Sequence, residues 1–288
     1  MKVFVNGEIL DERDAKISVF DRGFLYGDAV LETMRSYGGV VFRLDDHIER
    51  LFSSMKSLKI RQGLSNRETE KKIYELMRVN KLADASVRIT VSRGLSKHRG
   101  FNIAQNEPAC VVITASEFLP RPGKFYEKGI KADISRYKKS GHSLLTRFKV
   151  PNYLESIIAR SEAMPKGSFE TIFFNESGHL CEGTVSNVFM VRENRLMTPS
   201  LSCGVLPGIT RKIVLELSSY AGIGRQEGAF DEDTLKASDE AFVTNSLIEL
   251  IPVTQIDDVP IGDGIPGPVT RRLHALYGEL VKKETGGQ

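Results

Sequence analysis

The sequence predicts an α+β protein of two domains, and three observations lead to this prediction. Segments rich in β-branched residues, such as residues 86–92, follow segments whose apolar residues recur at helical spacing, such as Ile48, Leu51 and Met55. A stiff stretch with two prolines and a glycine, residues 119–123, interrupts this pattern. The chain has 288 residues, 41% of them hydrophobic, which is enough for two domains that each have a core.

The predicted N-terminal domain, residues 1–118, begins with a hairpin, because Asn6-Gly7 is a strong turn signal between apolar residues. Asp45 is expected to cap the helix that follows, and a second amphipathic helix and two strands come next. The expected elements are a hairpin at residues 3–10, helices at residues 45–58 and 65–79, and strands at residues 86–92 and 109–115.

Residues 119–124 are predicted to link the domains, because prolines stiffen a connector. The predicted C-terminal domain, residues 125–288, again mixes strands and helices. Its expected strands are residues 130–134, 168–174, 185–191 and 241–244, and its expected helices are residues 151–164, 208–220 and 268–281. A ligand site is expected in the cleft between two such domains.

The composition argues against several classes of protein. The net charge is only +3, with lysine and arginine spread along the chain, so nucleic-acid binding has no support. The apolar runs are too short to span a bilayer, and the first residues do not resemble a signal peptide. Cys110, Cys181 and Cys203 are odd in number and widely spaced, which favours a cytoplasmic protein without disulfides. The five histidines lack metal-ligand spacing, so no metal is expected.

Lys149 is the first candidate for chemistry. It lies in the segment LLTRFKVPNYLE, residues 144–155, where Leu145, Phe148 and Val150 are apolar neighbours. An amine in such surroundings gives up its charge more readily and becomes a nucleophile. A proline two residues later can enter a helix only in the first turn, so the lysine is expected just before a helix. A surface lysine in a loop would produce the same local pattern.

A phosphate site is the second candidate, at the start of the predicted helix 208–220. Gly208 frees the backbone there, and the N–H groups of Ile209 and Thr210 would lie at the helix N-terminus. Unpaired donors and the partial positive charge of a helix N-terminus suit an anion. A plain Pro-Gly turn before a helix would look the same.

Arg50 and Glu182 are candidates for charged contacts. Arg50 lies on the predicted helix 45–58 and could pair with a phosphate, although a solvated helix arginine is the alternative. Glu182 stands between an apolar strand and a Gly-Thr pair, where it could meet a cationic group such as a protonated pyridine nitrogen. A glutamate that caps a turn is the alternative for this position.

Five motifs, taken in order, resemble those of the class IV aminotransferases, the fold-type IV enzymes that use pyridoxal 5'-phosphate. The motifs are DRGFLYGDAVLE at residues 21–32, HIERL at 47–51, KVPNY at 149–153, CEGTVSN at 181–187 and LPGITR at 206–211. The resemblance extends nearly over the full chain. It implies the two-domain α+β fold of fold-type IV, with the cofactor in the inter-domain cleft.

The resemblance also implies roles for single residues. Lys149 would be the catalytic residue, joined to the cofactor as a Schiff base and carrying protons at the reacting carbon. Glu182 would keep the pyridine nitrogen protonated, and Tyr153 would bond the phenolic oxygen of the cofactor. The implied cofactor-binding residues are Arg50, Lys149, Tyr153, Glu182, Ser186, Asn187, Leu206, Gly208, Ile209, Thr210 and Ser246.

The family also suggests how the substrate would be held. Arg88 resembles an arginine that branched-chain enzymes use near the substrate carboxylate, although it could equally face outward from its strand. The implied partners are a small-molecule amino acid, a 2-oxo acid and a second copy of the chain, as a homodimer or a multiple of dimers. The implied substrate-binding residues are Tyr26, Leu31, Thr33, Arg88, Arg93, His98, Arg99, Ser246 and Leu247.

The motifs depart from the best-known members of the family. LETMR at residues 31–35 stands where branched-chain enzymes usually read FEGIR, and NSLI at 245–248 stands where they read GTAA. The Arg-x-His trap of D-amino-acid enzymes is not reproduced in register at residues 92–100, while Thr33 and TNSL at 244–247 look like aminodeoxychorismate lyase.

Three functions therefore compete. The first prediction is an aminotransferase that moves an amino group between a branched-chain L- or D-amino acid and a 2-oxo acid. The alternative is 4-amino-4-deoxychorismate lyase, which gives 4-aminobenzoate and pyruvate. A binding protein that kept only the fold would need Lys149 to be dispensable, and that lysine and the phosphate motif are both intact.

Overall fold

The structure is a computed structural model that describes residues 1–61, 63–95, 100–103 and 108–287. The chain divides into two compact units. The first unit comprises Met1–Leu119, Phe148–Asn152 and Val281–Gln288, and the second comprises Pro120–Arg147 and Tyr153–Leu280. This division separates the units close to the predicted linker, residues 119–124, and it adds two later segments to the first unit.

Contacts between residues far apart in sequence explain why these two segments join the first unit. The carbonyl of Lys149 accepts the N–H of Leu31 at 2.9 Å, and Val150 packs against the apolar core of the unit. Near the C-terminus, Glu284 forms an ion pair with Arg43 at 3.0 Å. Domain boundaries predicted from sequence divide the chain into continuous segments, so they do not include such long-range contacts.

The first unit is built on one antiparallel sheet in the order β2-β1-β6-β5-β3-β4. Helices α2 and α3 contribute to the same apolar core as the sheet. The elements are β1 (Lys2–Val5), β2 (Glu8–Asp11), α1 (Arg22–Tyr26), β3 (Ala29–Tyr37), β4 (Val40–Val41), α2 (Leu44–Ser57), α3 (Asn66–Val79), β5 (Ala85–Ser92) and β6 (Cys110–Glu117).

The second unit contains a nine-stranded sheet with the path β12-β11-β10-β13-β14-β7-β8-β9. Strand β9 also pairs with β10, so six of these strands close into a ring, and β15 pairs with β14. The strands are β7 (Ile130–Ile134), β8 (Glu170–Phe174), β9 (Leu180–Gly183), β10 (Asn187–Arg192), β11 (Arg195–Pro199), β12 (Arg225–Gly228), β13 (Glu240–Asn245), β14 (Glu249–Ile256) and β15 (Val259–Pro260).

The helices of the second unit are mostly short. They are α4 (Lys124–Glu127), α5 (Leu154–Ala163), α6 (Ile209–Tyr220), α7 (Glu232–Lys236) and α8 (Pro268–Thr285), whose last residues belong to the first unit. No helix within the described ranges combines the length and the apolar character that crossing a membrane would require.

Several predicted elements have the expected cause. Val5 pairs with Glu8 across the Asn6-Gly7 turn, and both turn residues have positive φ, as a two-residue hairpin needs. Ser65 caps α3 in a reciprocal capping box with Glu68. The α+β prediction is confirmed by this mixture of sheets and helices.

Two helix starts were predicted wrongly. Helix α2 begins at Leu44, after Arg43 in a left-handed conformation, so Asp45 lies inside the first turn and does not cap the helix. Helix α5 begins at Leu154 and not at residue 151, so the proline of the KVPNY motif precedes the helix. A proline fits the first turn of a helix, but it fits an extended segment equally well.

Candidate active site

Lys149 lies in the first unit, on an irregular segment beside the edge of β3. Its carbonyl group bonds to Leu31, and Asn152 sits so close to Gly27 that a Cβ there would lie 2.8 Å from the amide nitrogen of Asn152. Gly27 also has a φ of +67°, which disfavours other residues. The backbone around Lys149 is therefore fixed by contacts that do not use its amine.

The amine of Lys149 is available for chemistry. Within the described part of the chain, it has no hydrogen-bond acceptor and no ion-pair partner. The predicted apolar surroundings are only partly present, because Phe148 and Val150 are half-buried while Leu145 is 50% exposed. A fixed backbone that carries an unpaired amine is the arrangement that a nucleophile needs.

A buried charge cluster also belongs to the first unit. Glu32, on β3, is 1% exposed and faces two side chains of α2. Arg50 donates to both of its oxygens at 2.7 Å, and the Nδ1 atom of His47 lies 2.8 Å from Oε2. The guanidinium of Arg50 is thereby held in one orientation, as bidentate pairs with carboxylates require.

The protonation of this cluster follows from its surroundings. Burial would raise the pKa of Glu32, but the charge of Arg50 and the hydrogen bonds from His47 and Arg50 outweigh it and lower the pKa to about 2. Burial lowers the pKa of His47 in spite of the adjacent carboxylate. At neutral pH, Glu32 is thus ionised and the neutral His47 ring donates its Nδ1 proton to it.

Glu32 and His47 were not predicted as members of a cluster with Arg50. Glu32 stands in the apolar run Val30–Met34, where a lone acidic residue on a strand face demands a buried partner. His47 and Arg50 are three residues apart on α2, so they share one face of that helix. Together these two signals could have suggested the cluster, although not which strand meets which helix.

Glu182 is held by two donors in the second unit. The Nζ atom of Lys139 lies 2.7 Å from Oε1, and the backbone N–H of Leu206 donates to Oε2 at 2.9 Å. The Glu182 side chain is 13% exposed. A carboxylate in this setting has a fixed plane and keeps lone pairs for one more donor. Lys139 carried no signal in the sequence that would have singled it out.

Asn187 and Leu206 hold the loop that precedes α6. The side-chain amide of Asn187 donates to the carbonyl of Leu206 at 2.9 Å, while the N–H of Leu206 bonds to Glu182. A Cβ at Gly208 would overlap the Oδ1 atom of Asn187, whose side chain is held by its bond to Leu206, so glycine suits this position. Because Glu182 pairs with Asn187 across β9 and β10, one small region fixes both the carboxylate and the loop.

The N-terminus of α6 has the properties predicted for an anion site. Gly208 occupies the cap position, no side chain caps the helix, and its first turn contains no acidic residue. Ile209 and Thr210 open the helix, and Thr210 is buried. The N–H groups of a first turn that lacks a side-chain cap favour an anionic partner.

Ser186, predicted to bind the cofactor, is engaged elsewhere. It is buried, and its hydroxyl donates to the buried carboxylate of Glu170 at 2.7 Å. Thr184 also donates its backbone N–H to Glu170 at 3.1 Å. The geometry thus gives Ser186 a part in stabilising the turn between β9 and β10.

The remaining predicted residues of the second unit are half-buried. Ser246 and Leu247 lie in the turn after β13, which is fixed because the side chain of Asn245 accepts the N–H groups of Leu247 and Ile248. Tyr153 lies directly before α5. Within this unit, the structure brings Glu182, Asn187, Leu206 and the start of α6 together.

Three predicted substrate residues lie on the central strands of the first unit. Leu31 is buried, while Thr33 pairs directly with Arg88 across β3 and β5. Arg88 is exposed, and its Nε atom lies 3.4 Å from the hydroxyl of Thr90. Its neighbours Val87 and Ile89 point into the core, so Arg88 occupies the opposite face of the sheet.

Arg93, by contrast, has a structural setting. Its buried guanidinium bonds to Asp28 at 2.8 Å and 3.0 Å and to the carbonyls of Leu58 and Lys59. Because all these contacts are to other parts of the chain, the Arg93 side chain anchors the backbone. The substrate role predicted for Arg93 has no geometric support.

Tyr26, at the end of α1, is 39% exposed and contacts the ring of Phe101. His98 and Arg99 lie outside the described residues.

Comparisons with known proteins agree with these motifs. The family model "Amino-transferase class IV" matches residues 29–256. A protein of Methanocaldococcus jannaschii named "Putative branched-chain-amino-acid aminotransferase" is 36% identical over 284 residues, which cover 98% of this chain and 97% of that protein. An aminodeoxychorismate lyase of Bacillus subtilis is 35% identical over 99% of this chain and 98% of its own length. A D-alanine aminotransferase of Bacillus licheniformis is 32% identical, with 99% of both chains covered.

Solved structures give the same picture of the fold. The branched-chain amino acid aminotransferase of Escherichia coli superposes with a TM-score of 0.93 at 30% identity, covering 100% of this chain and 95% of that one. A second branched-chain amino acid aminotransferase, from T.th. and solved with pyridoxamine 5'-phosphate, has a TM-score of 0.92 at 31% identity, with coverage of 100% and 95%.

Proposed function

Because the chain belongs to the class IV aminotransferase family, we propose that it moves an amino group between a branched-chain amino acid and a 2-oxo acid, with Lys149 as the catalytic residue. Its cofactor is pyridoxal 5'-phosphate. The observation that carries the proposal is the Lys149 amine, which has no partner in the described residues although its backbone is fixed by Leu31.

The donors in the second unit fit this cofactor. The uncapped first turn of α6, with Ile209 and Thr210, suits the phosphate, and the carboxylate of Glu182 suits a protonated ring nitrogen. Asn187 and Gly208 hold the loop that carries these groups. In the first unit, Arg50 offers a guanidinium that its two hydrogen bonds to Glu32 keep oriented, which suits a second contact to the phosphate.

Each residue then has a distinct task. The bound cofactor supplies an aldehyde that takes up the amino group and a ring that accepts electrons. Lys149 would hold the cofactor covalently through its amine, and it would afterwards move a proton at the substrate carbon. Glu182 would keep the ring nitrogen charged, and Tyr153 would orient the phenolic oxygen. Ser246 would add a hydroxyl to the phosphate contacts.

Arg88 supports a substrate with a carboxylate. It is exposed, lies beside Thr33, and is fixed by its strand on the face away from the core. A guanidinium in this position can pair with a carboxylate. Similarity to branched-chain amino acid aminotransferases supports a branched-chain substrate, and similarity to D-alanine aminotransferases keeps a D-amino acid as the competitor.

The test of the proposed function is a half-reaction in the purified holoenzyme. Isoleucine, D-alanine and glutamate are added separately, and a true donor changes the visible absorption spectrum of the bound cofactor without any 2-oxo acid. Adding a 2-oxo acid then restores the first spectrum. The inactive enantiomer of each donor is the control. If no L- or D-amino acid from a broad panel changes the spectrum, a transaminase function is excluded.

The lyase remains a second candidate, because an aminodeoxychorismate lyase is 35% identical and Thr33 replaces the glycine of branched-chain enzymes. Incubation with 4-amino-4-deoxychorismate, with no 2-oxo acid present, distinguishes the two functions. Release of 4-aminobenzoate would identify a lyase. Its absence, together with a positive half-reaction, would leave the transaminase.

We also propose that the protein is a homodimer. Large apolar side chains are exposed in each unit: Phe20, Phe24 and Phe101 are 58%, 68% and 84% exposed, and Leu154 and Ile157 on α5 are 69% and 62% exposed. Exposed apolar side chains that are close in sequence, as at residues 20–24 and 154–157, suit a surface that another protein covers. A second copy of the chain is the simplest partner, since closed symmetric dimers are the commonest oligomers.

Light scattering on the purified protein is expected to give twice the mass of one chain. Phe24→Asp should shift the mass toward that of a monomer, because it places a charge in the apolar surface. Tyr220→Asp is the matched control, since Tyr220 is an exposed aromatic residue of α6. A monomeric wild-type protein would refute the dimer.

We place the enzyme in the cytoplasm because its cysteines are free, and cell fractionation beside a cytosolic marker tests this.

A further inference from the structure

Lys139 is a charged partner of Glu182 that has no task in the proposed function. Its Nζ atom lies 2.7 Å from Oε1 of Glu182, and its side chain is 14% exposed. The backbone N–H of Lys139 donates to the carbonyl of Phe174 at 2.9 Å, and its ammonium lies 4.9 Å from the centroid of the buried Phe173 ring. The position of this cation is therefore fixed from two sides.

Its distance to any further partner of Glu182 is limited by geometry. A proton donor bound to the same carboxylate lies at most about 8 Å from the ammonium, since two hydrogen bonds and one carboxylate width separate them. That distance is within a Debye length at physiological ionic strength, and the partly buried setting reduces screening further. Lys139 must therefore act on the charge of whatever group Glu182 binds.

Holding Glu182 in its orientation is not the main effect of Lys139. The N–H of Leu206 still holds Oε2 at 2.9 Å if the lysine is removed, so Glu182 would keep one anchor. The charge effect is larger, because two unit charges about 6 Å apart in a partly buried site interact strongly enough to change a proton affinity by tenfold or more. The sign is repulsive for a protonated ring nitrogen.

We propose that Lys139 is a positioning residue that shares the Glu182 carboxylate with the ring nitrogen and limits how strongly Glu182 holds the proton there. The inference rests on the proposed cofactor role of Glu182. The Lys139–Glu182 ion pair has a net charge of zero, so it attracts a cation less strongly than a carboxylate without a partner would. Lys139 would thereby set how effectively the ring withdraws electrons, without touching the cofactor.

The experiment compares two cofactors in equilibrium dialysis of the apoenzyme. One is pyridoxal 5'-phosphate, and the other is its 1-deaza analogue, in which carbon replaces the ring nitrogen and no proton can bind. In Lys139→Met, the ratio of the two affinities is expected to shift about tenfold toward pyridoxal 5'-phosphate. A merely structural lysine would weaken both cofactors alike and leave the ratio unchanged.

Two variants serve as matched controls. Lys139→Arg keeps the cation and should restore the wild-type ratio. Lys138→Met removes the neighbouring exposed lysine, whose ammonium lies over Phe174 and not beside Glu182, and should also leave the ratio unchanged. In a Glu182→Gln background, Lys139→Met should produce no further shift, because the ring nitrogen no longer holds a proton.

The outcomes separate this inference from the proposed function. An unchanged ratio in Lys139→Met, or an equal shift in Lys138→Met, would overturn the role of Lys139 while wild-type binding of pyridoxal 5'-phosphate stands. Equal wild-type affinity for both cofactors would remove the role of Glu182 and the inference with it. A wild-type protein that binds neither cofactor would refute the proposed function itself.

Discussion

Lys149→Ala is expected to abolish covalent attachment of the cofactor and to lower turnover by about a thousandfold or more. The substitution removes both the nucleophile and the group that moves the proton, and general acid–base catalysis alone contributes about 10²–10⁴-fold. Reduction with borohydride followed by peptide mass spectrometry measures the attachment. In the wild type, the modified peptide should contain Lys149.

Lys149→Arg tests whether charge alone matters, since it keeps a cation but offers no nucleophilic amine. It should be as inactive as Lys149→Ala. Both variants should fold normally, because the contact with Leu31 uses the backbone carbonyl and not the amine. Substitution of the exposed Lys138 should leave attachment intact. A cofactor trapped on any other lysine of the wild-type protein would contradict the assignment.

Glu32→Gln is expected to lower the free energy of unfolding by about 3 kcal/mol at pH 7. Glu32 is 1% exposed and is paired with both Arg50 and His47, so the substitution removes a buried carboxylate from a hydrogen-bonded ion pair. Because the chain contains no tryptophan, urea unfolding should be followed by circular dichroism. Glu49→Gln, at an exposed position next to Arg50 on the same helix, is the matched control and should change stability little.

The pH dependence of this effect has a definite sign. The pKa of Glu32 is about 2 in the folded protein and near its ordinary value of 4.5 when unfolded. A lowered pKa stabilises the fold above the unfolded value, and this stabilisation is lost as the pH falls from about 4.5 toward 2. The stability difference between wild type and Glu32→Gln should therefore shrink in that range. A difference that stays constant down to pH 2 would show that folding does not lower the pKa of Glu32.

Local chemistry made much of the fold predictable. The Asn6-Gly7 hairpin, helix α3 and strand β7 all depend on residues that are neighbours in sequence, and the structure contains each of them. Strand β3 was not predicted, although its first four residues belong to the first motif, residues 21–32. Strand β14 was missed because Pro252 argues against a strand that is paired on both sides.

In the candidate site, too, some residues were predictable from local motifs and others were not. Lys149, Arg50, Glu182 and the start of α6 were found from their motifs, and their assignment to the cofactor stays a prediction. Lys139 was not found, because the pairing of a lysine with a glutamate 43 residues later leaves no pattern in the sequence. Arg93 was assigned to the substrate, whereas its partners Asp28, Leu58 and Lys59 come from distant parts of the chain.

The sequence by itself determined the family, the cofactor chemistry and the residue types available for it, because motifs and turns are written in consecutive residues. Only the tertiary structure decided which charges are paired: Glu32 with Arg50 and His47, Lys139 with Glu182, and Arg93 with Asp28. The physical reason is that a buried charge is tolerated only beside a partner, and that partner is selected by how strands and helices pack.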